Sequence, residues 1–464
     1  LRRSYRTMKT PNSKLPQWIG VKKGWQLQSA DPLPHLVSIT ADMLRTHALL
    51  IGATRSGKTN LVHHLVAQDI EREHSLVVLD LRGDLVDSVL ELAAGRVSPE
   101  KVVLIDLREK DRPHGFNPLF GPGEPYFRAL GVLDAIANES ESWGIQLAET
   151  LRYALMLFAE IGRPITELDQ LFYDGAFRLR CLSMAEASPT SEFWERFHSL
   201  SPDKQQSLAM PVLNKLSILT STQSLRKVLG HRSPVDLGAH LNTPGSITLI
   251  SLAVDELHGA AKMMGNMILS SICREVFARV QVGERSRNPV RIFVDEFEHF
   301  VLQDFENLLA EGRRFGASLV LAHQTLAQLT PKMRSMILGN VGVKFAFRAG
   351  REDSQTLCKD LSGDPTLVDL NNFRTGEALM WVRGEGVEVV EINEPLLPST
   401  GFLSKEAQGF RSQILAFRDA RDSDDDEPGS SVNRPDPTGP TAPRPGRVSR
   451  PTVSPEPLED WLCN

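Results

Sequence analysis

Gly52-Ala53-Thr54-Arg55-Ser56-Gly57-Lys58-Thr59 decides how the rest of this 464-residue chain is read. The segment has the spacing G-x-x-x-x-G-K-[ST]. Its glycines let the backbone curl so that successive N–H groups face one phosphate. Lys58 would reach the outer phosphates, and the Thr59 hydroxyl would coordinate Mg²⁺. The flanks supply the context this chemistry needs. His47–Ile51 is an apolar run of strand length, and Leu61, Val62, Leu65, Val66 and Ile70 recur at helical period. A strand, a glycine-rich loop and a helix over Thr59–Ile70 follow, with the helix N-terminus facing the anion. The expected ligand is ATP, held by Gly52, Ala53, Thr54, Arg55, Ser56, Gly57, Lys58, Thr59 and Asn60.

Moving outward, Ser75–Asp80 is a second apolar run without alternation, as in a strand buried on both faces. A helix over Leu85–Ala93 leads to a third strand, Lys101–Asp106. Strand and helix alternate, which predicts an α/β fold with a mostly parallel, doubly wound sheet. After Pro118 the pattern changes. Ala129–Asn138, Gln146–Ile161, Glu192–His198, Leu208–Leu219 and Leu225–Leu229 read as helices with no strand between them. Strands resume at Ser246–Leu252, Arg291–Val294, Ala317–Leu321 and Lys344–Phe347, and Leu379–Arg383 with Gly386–Ile392 reads as a hairpin. The expected division is a basic leading segment (1–30), a nucleotide-binding domain in two parts (31–124 and 241–418), an inserted all-α domain (125–240) and a disordered tail (419–464).

Charge and composition narrow the possibilities. The chain carries a net −6, with seven Lys/Arg and no acid in residues 1–30, and ten acids against five bases in 419–464. The body lacks a global basic footprint, so any DNA contact must come from a local patch or an assembled channel. Nine prolines between Pro428 and Pro457 leave the tail too little apolar surface to offset the entropy of ordering. Four scattered cysteines give no disulfide framework or zinc spacing. No apolar run approaches the ~18 residues of a membrane span.

Other residues fit the same chemistry. Arg291-Ile292-Phe293-Val294-Asp295-Glu296 is an apolar strand ending in two carboxylates. Asp295 would hold Mg²⁺, and Glu296 would activate the attacking water. Gln324, beyond the strand Ala317–Leu321, would point at the γ-phosphate, whereas His323 reads as structural. Asp80 reads as a secondary polar contact. Arg313 and Arg314 end a helix from which neither easily reaches its own nucleotide, so one could serve a neighbouring subunit as an arginine finger. Arg348 and Arg351 are weaker candidates for that role.

Taken together, these motifs resemble a family. Asp80-Leu81-Arg82-Gly83-Asp84, Gly115-Phe116-Asn117-Pro118-Leu119, Ser142-Trp143-Gly144, Val294-Asp295-Glu296-Phe297, Glu311-Gly312-Arg313-Arg314-Phe315-Gly316 and Ala322-His323-Gln324-Thr325 follow the P-loop in order. The arrangement is similar to the conjugative coupling proteins of type IV secretion, the VirD4, TraG and TraD group, and to the HerA and FtsK DNA translocases. The resemblance spans about Thr46 to Ile392. It implies a RecA-like P-loop NTPase with an all-α domain, assembled as a homo-oligomeric ring, usually a hexamer, with ATP between subunits and DNA threading the centre without sequence preference. It places the trans-acting arginine at Arg313 and the sensor glutamine at Gln324. Asn117 would be structural or phosphate-proximal. Secretion or relaxosome-type proteins would dock on the all-α domain or the C-terminal tail. Coupling proteins usually carry a membrane anchor before the nucleotide domain. The resemblance thus implies a cytoplasmic protein, held at the inner face of the bacterial membrane if such an anchor precedes Leu1. A soluble double-stranded DNA translocase and an ATP-switched protein-recruitment module are the alternatives.

Overall fold

The computed structural model describes residues 17–22, 36–231, 234–300, 303–398 and 402–425. Eleven strands form one sheet: β1 (Gln17–Lys22), β2 (Leu36–Ile39), β3 (Ala48–Ile51), β4 (Ser75–Asp80), β5 (Val102–Asp106), β6 (Ile247–Ser251), β7 (Val290–Val294), β8 (Ala317–His323), β9 (Val343–Ala346), β10 (Glu377–Val382) and β11 (Gly386–Ile392). Their spatial order is β2-β1-β11-β10-β9-β3-β8-β7-β4-β6-β5. From β9 to β5 every pairing is parallel. From β9 out to β2 every pairing is antiparallel. The chain has the RecA-like α/β architecture, with β8 lying between the P-loop strand β3 and β7.

The parallel strands are buried along their whole length because both faces are covered. Alternate residues go to opposite layers. Ala48 and Leu50 pack with the helices Lys58–Glu71 and Asp84–Ala93. Leu49 and Ile51 belong to the other core, which contains the helices Gly259–Ala278 and Gln303–Glu311 and runs on into a helical region.

That region occupies the connection between β5 and β6, from the helix Pro125–Asn138 to the helix Leu237–Asn242. Trp194 is fully buried there, with Phe172 and Phe197 edge-on at 5.3 and 5.0 Å between ring centroids. Its indole N–H donates to the Tyr153 carbonyl at 3.1 Å. Asn117 sits where the chain enters this region. Its Nδ2 donates to the Arg163 carbonyl and its Oδ1 accepts from Leu119 N. The second bond closes the local turn, and the first ties it to the end of the helix Ile145–Ile161, so both side-chain groups are used in holding this entry point.

Two expectations need correction. Residues 1–30 contain a strand where irregular chain was expected: Gln17–Lys22 pairs with both β11 and β2. Gly20 explains the weak sequence signal, because a Cβ there would lie 2.0 Å from the Glu391 carbonyl oxygen. The expected disordered tail begins inside a helix, Lys405–Asp425, that crosses residue 419. Ala407, Phe410, Ile414 and Leu415 bury its inner face, and Arg411 pairs with Asp106 and Glu109 beside β5. The rest of the expected tail, residues 426–464 with their prolines, lies outside the described residues.

Candidate nucleotide site

The site forms at the C-terminal ends of β3, β8 and β7, three adjacent strands. Gly52–Gly57 leave β3 and turn into the helix beginning at Lys58. The loop's glycines are required. Gly57 has φ 114°, and a Cβ there would lie 2.8 Å from Gly376 N. A Cβ on Gly52 would lie 2.7 Å from the Phe347 side chain. Main-chain bonds stitch the loop to its neighbours: Gly52 N donates to the His323 carbonyl at 3.2 Å, Ala53 N to Arg348 at 2.7 Å, and Gly376 N to Ser56 at 2.9 Å. The Thr375 hydroxyl also donates to the Arg55 carbonyl at 3.2 Å. The turn Thr375–Gly376 is a support that sequence reasoning missed, since 320 residues separate it from the loop it braces.

Lys58 Nζ donates to the carbonyls of Gly52 and Ala53 at 2.6 and 3.1 Å. Burial lowers the Lys58 ammonium below its usual value, and the carboxylates of Asp295, Glu296 and Glu298 act against that shift. Thr59 is exposed at the helix start. A crevice beneath the loop is lined by Lys58, Thr59 and Asp295 together with apolar Val62, Leu85 and Phe293.

Asp295 and Glu296 follow β7. Burial, reinforced by the charges of Asp80 and Glu296, pushes the Asp295 carboxyl up to about 6. Glu296 holds a left-handed backbone at φ 49°, a conformation a non-glycine residue keeps only when its surroundings impose it. Gln324 directly follows β8, which runs two residues further than the expected Ala317–Leu321. Its Nε2 donates to Glu296 Oε1 at 2.8 Å, and its Oε1 accepts from the Thr54 hydroxyl at 3.3 Å.

Other candidates fall elsewhere. Asp80 accepts from the backbone N–H of Arg82, Leu85 and Val86, so it fixes the start of the helix Asp84–Ala93 while lending its charge to Asp295. Asn60 donates from its side chain to the Asn393 carbonyl at 2.7 Å, a tie to the end of β11. Arg313 and Arg314 are exposed in the turn Gly312–Phe315, at the opposite end of β8 from Gln324. The seven residues of β8 set that turn about 20 Å from the P-loop edge. His47 is buried beside this turn, accepts from Leu319 N at 2.9 Å, and is pushed down to about 4, mainly by burial. Arg348 and Arg351 follow β9, on the same edge as the chain's own P-loop.

Sequence reasoning also missed Glu298. It hydrogen-bonds His323 at 2.8 Å. Burial would raise its carboxyl, but the bond and the charge of His323 outweigh that and hold it below the usual carboxylate range.

This fold and this loop define a P-loop NTPase. A model described as the type IV secretion-system coupling protein DNA-binding domain matches residues 34–96, and one described as the TraM recognition site of TraD and TraG matches residues 289–392. Both matches point to the type IV coupling-protein family. Solved structures agree in fold. Plasmid coupling protein TrwB in complex with ADP and Mg²⁺ superposes with a TM-score of 0.58 at 15% identity, covering 84% of this chain and 97% of that one. The bacterial conjugative coupling protein TrwBΔN70, unbound, gives 0.55 at 15%, covering 79% and 90%. VirB4 of Thermoanaerobacter pseudethanolicus gives 0.54 at 13%, covering 82% and 97%. No curated protein matches the chain in sequence.

Proposed function

We propose that this protein is an ATP-hydrolysing motor of the conjugative coupling type, which drives DNA, or a nucleoprotein, through a ring of identical subunits. One observation carries the reading. Glu296 and Gln324 meet at one end of β8, while Arg313 stands exposed at the other. A nucleotide on the P-loop would have base and sensor in place, while Arg313 lies too far from it in its own subunit and would be supplied by a neighbour in a ring. A hexamer is the assembly we favour.

The residues present fit Mg²⁺-ATP. Burial, and then the neighbouring charges of Asp80 and Glu296, raise the Asp295 carboxyl, and a cation would relieve both effects by pairing with the buried charge. Thr59 and Asp295 would hold the metal, which when bound neutralises charge on the phosphate oxygens. Lys58 would exchange its loop carbonyls for the β- and γ-phosphates. Glu296 would take the proton of the attacking water, with Gln324 fixing both. The neighbour's Arg313 would stabilise charge on the transferring group.

Two further elements follow from the reading. Residues 31–124 and 241–418 form the motor domain, and the helical domain 125–240 docks protein partners. The match to a coupling-protein DNA-binding domain and to a TraM recognition site supports DNA and a relaxosome-type protein as partners. DNA contact would be mostly to phosphates and independent of sequence. The place of work is the cytoplasmic face of the bacterial membrane. Among the described residues no helix is long and apolar enough to cross one.

The test is ATP turnover by the purified chain and by Lys58→Ala. Turnover that vanishes with Lys58 supports the reading, and turnover indifferent to Lys58 refutes it.

A further inference from the structure

Two buried side chains lie behind the Glu296–Gln324 contact and join the same two chain segments. His323 Nδ1 is 2.8 Å from Glu298 Oε2, with the imidazole fully buried and the carboxylate 8% exposed. Nε2 of the ring has no hydrogen-bond partner among the described residues, so the bond at Nδ1 to Glu298 is the one that fixes the ring's orientation among them. The ring also packs on Phe297, with centroids 5.0 Å apart. The main-chain carbonyl of His323 accepts from Gly52 N, the first residue of the P-loop. One residue, His323, therefore touches the P-loop through its backbone and the loop after β7 through its side chain.

The spacing makes this contact consequential. Glu298 is two residues beyond Glu296, and His323 immediately precedes Gln324. A bond between the outer pair fixes how far apart the inner pair can stand. Glu296 needs such support, because its left-handed backbone is unfavourable without it. His299 Nε2 stands 3.9 Å from Glu298 Oε1, so the 2.8 Å bond to His323 is the shorter and stronger of the two contacts. A buried carboxylate does not readily give up such a partner. The Glu298 charge also reaches Lys58, so the pair acts on all three parts of the site.

We propose that Glu298 and His323 are positioning residues for hydrolysis, whose buried bond sets the separation of Glu296 and Gln324 and holds both against the P-loop. The proposal rests on the ATPase reading of the site. A purely structural pair would change stability and leave the catalytic constants of the folded protein alone. A positioning pair changes kcat with little change in KM.

The experiment compares wild type, Lys58→Ala, Glu298→Ala, Glu298→Asp and Glu298→Gln in the full chain, reading kcat and KM for ATP and the melting temperature. Glu298→Ala should lower kcat about tenfold or more, in the range seen when a supporting partner of an active group is removed. Its KM should stay within about twofold of wild type. Glu298→Gln, whose amide oxygen still accepts from His323 Nδ1, should recover most of the rate. An unchanged kcat in Glu298→Ala overturns the proposal. So does a Gln variant as slow as the Ala variant while melting like wild type. If Glu298→Ala does not fold, Glu298→Asp decides. Its shorter side chain cannot span the contact, so kcat must fall with KM retained, and an unchanged kcat overturns the proposal. Wild-type turnover that does not depend on Lys58 defeats the ATPase reading itself and the proposal with it.

Discussion

Gln324 donates to Glu296 across the ends of adjacent strands at 2.8 Å, and the same amide accepts from the Thr54 hydroxyl. The glutamine therefore spans the P-loop and the carboxylate we assign as the base. Its two functions use different atoms, so losing the side chain breaks both links at once.

The first prediction follows from this bridge. Glu296→Gln should bind ATP and lose turnover by roughly 10²–10⁴-fold, the range a positioned general base contributes. Gln324→Ala should lose less, about 10-fold to 100-fold, because the base remains while its orientation is freed. Single-turnover hydrolysis and binding of a non-hydrolysable ATP analogue check both. A Glu296→Gln variant that still turns over would remove Glu296 as the base.

The second prediction concerns Arg313. It stands about 20 Å from its own P-loop edge along β8, too far to serve the nucleotide held there. Arg313→Ala and Lys58→Ala should each be inactive alone and recover part of the turnover when mixed, because some interfaces then pair an intact P-loop with an intact arginine. ATPase assays across mixing ratios, on rings shown to contain both subunits, check this. Absence of recovery at every ratio would count against an arginine supplied in trans.

A third prediction concerns stability. Asp69, on the P-loop helix, pairs with Arg291 at the start of β7 and hydrogen-bonds His74, all three buried. Burial would raise the Asp69 carboxyl, but Arg291 and then His74 more than reverse this, and it lies below its ordinary 3.8. A carboxyl depressed in the folded state contributes stability that is fully present above the unfolded value near 4. That contribution is lost as pH falls through the lower folded value. Asp69→Ala should destabilise by about 3–5 kcal/mol at pH 7, since it leaves Arg291 without this partner. The difference from wild type should shrink as pH falls below the unfolded value near 4. Urea denaturation across pH checks it, and a difference that grows on acidification would contradict it.

The sequence made some of this legible and hid the rest for physical reasons. The P-loop, β4 and β7 were readable because each is a short run whose chemistry is local: glycines at fixed spacing, or continuous apolar residues ending on acid. β1 was hidden because Gly20, needed for close approach to Glu391, reads as a break in a strand. The helix Lys405–Asp425 was not read at all and the tail boundary was set inside it, because its last residues belong to an acidic run, while the buried positions that hold it lie before residue 416. The Glu298–His323 bond and the Thr375–Gly376 brace join positions 25 and 320 residues apart, and nothing local marks them. Asp80 ends its strand much as Asp295 follows its own, and only the three backbone N–H donors to Asp80 separate its task from the one we propose for Asp295.

The most direct test of the central claim is ATP hydrolysis by the purified chain over a protein concentration series, with and without single- and double-stranded DNA. A DNA-coupled ring motor predicts strong stimulation by DNA, a steep rise in specific activity with concentration as subunits complete one another's sites, and loss of both in Arg313→Ala. Turnover that ignores DNA and stays constant per subunit at every concentration would contradict it.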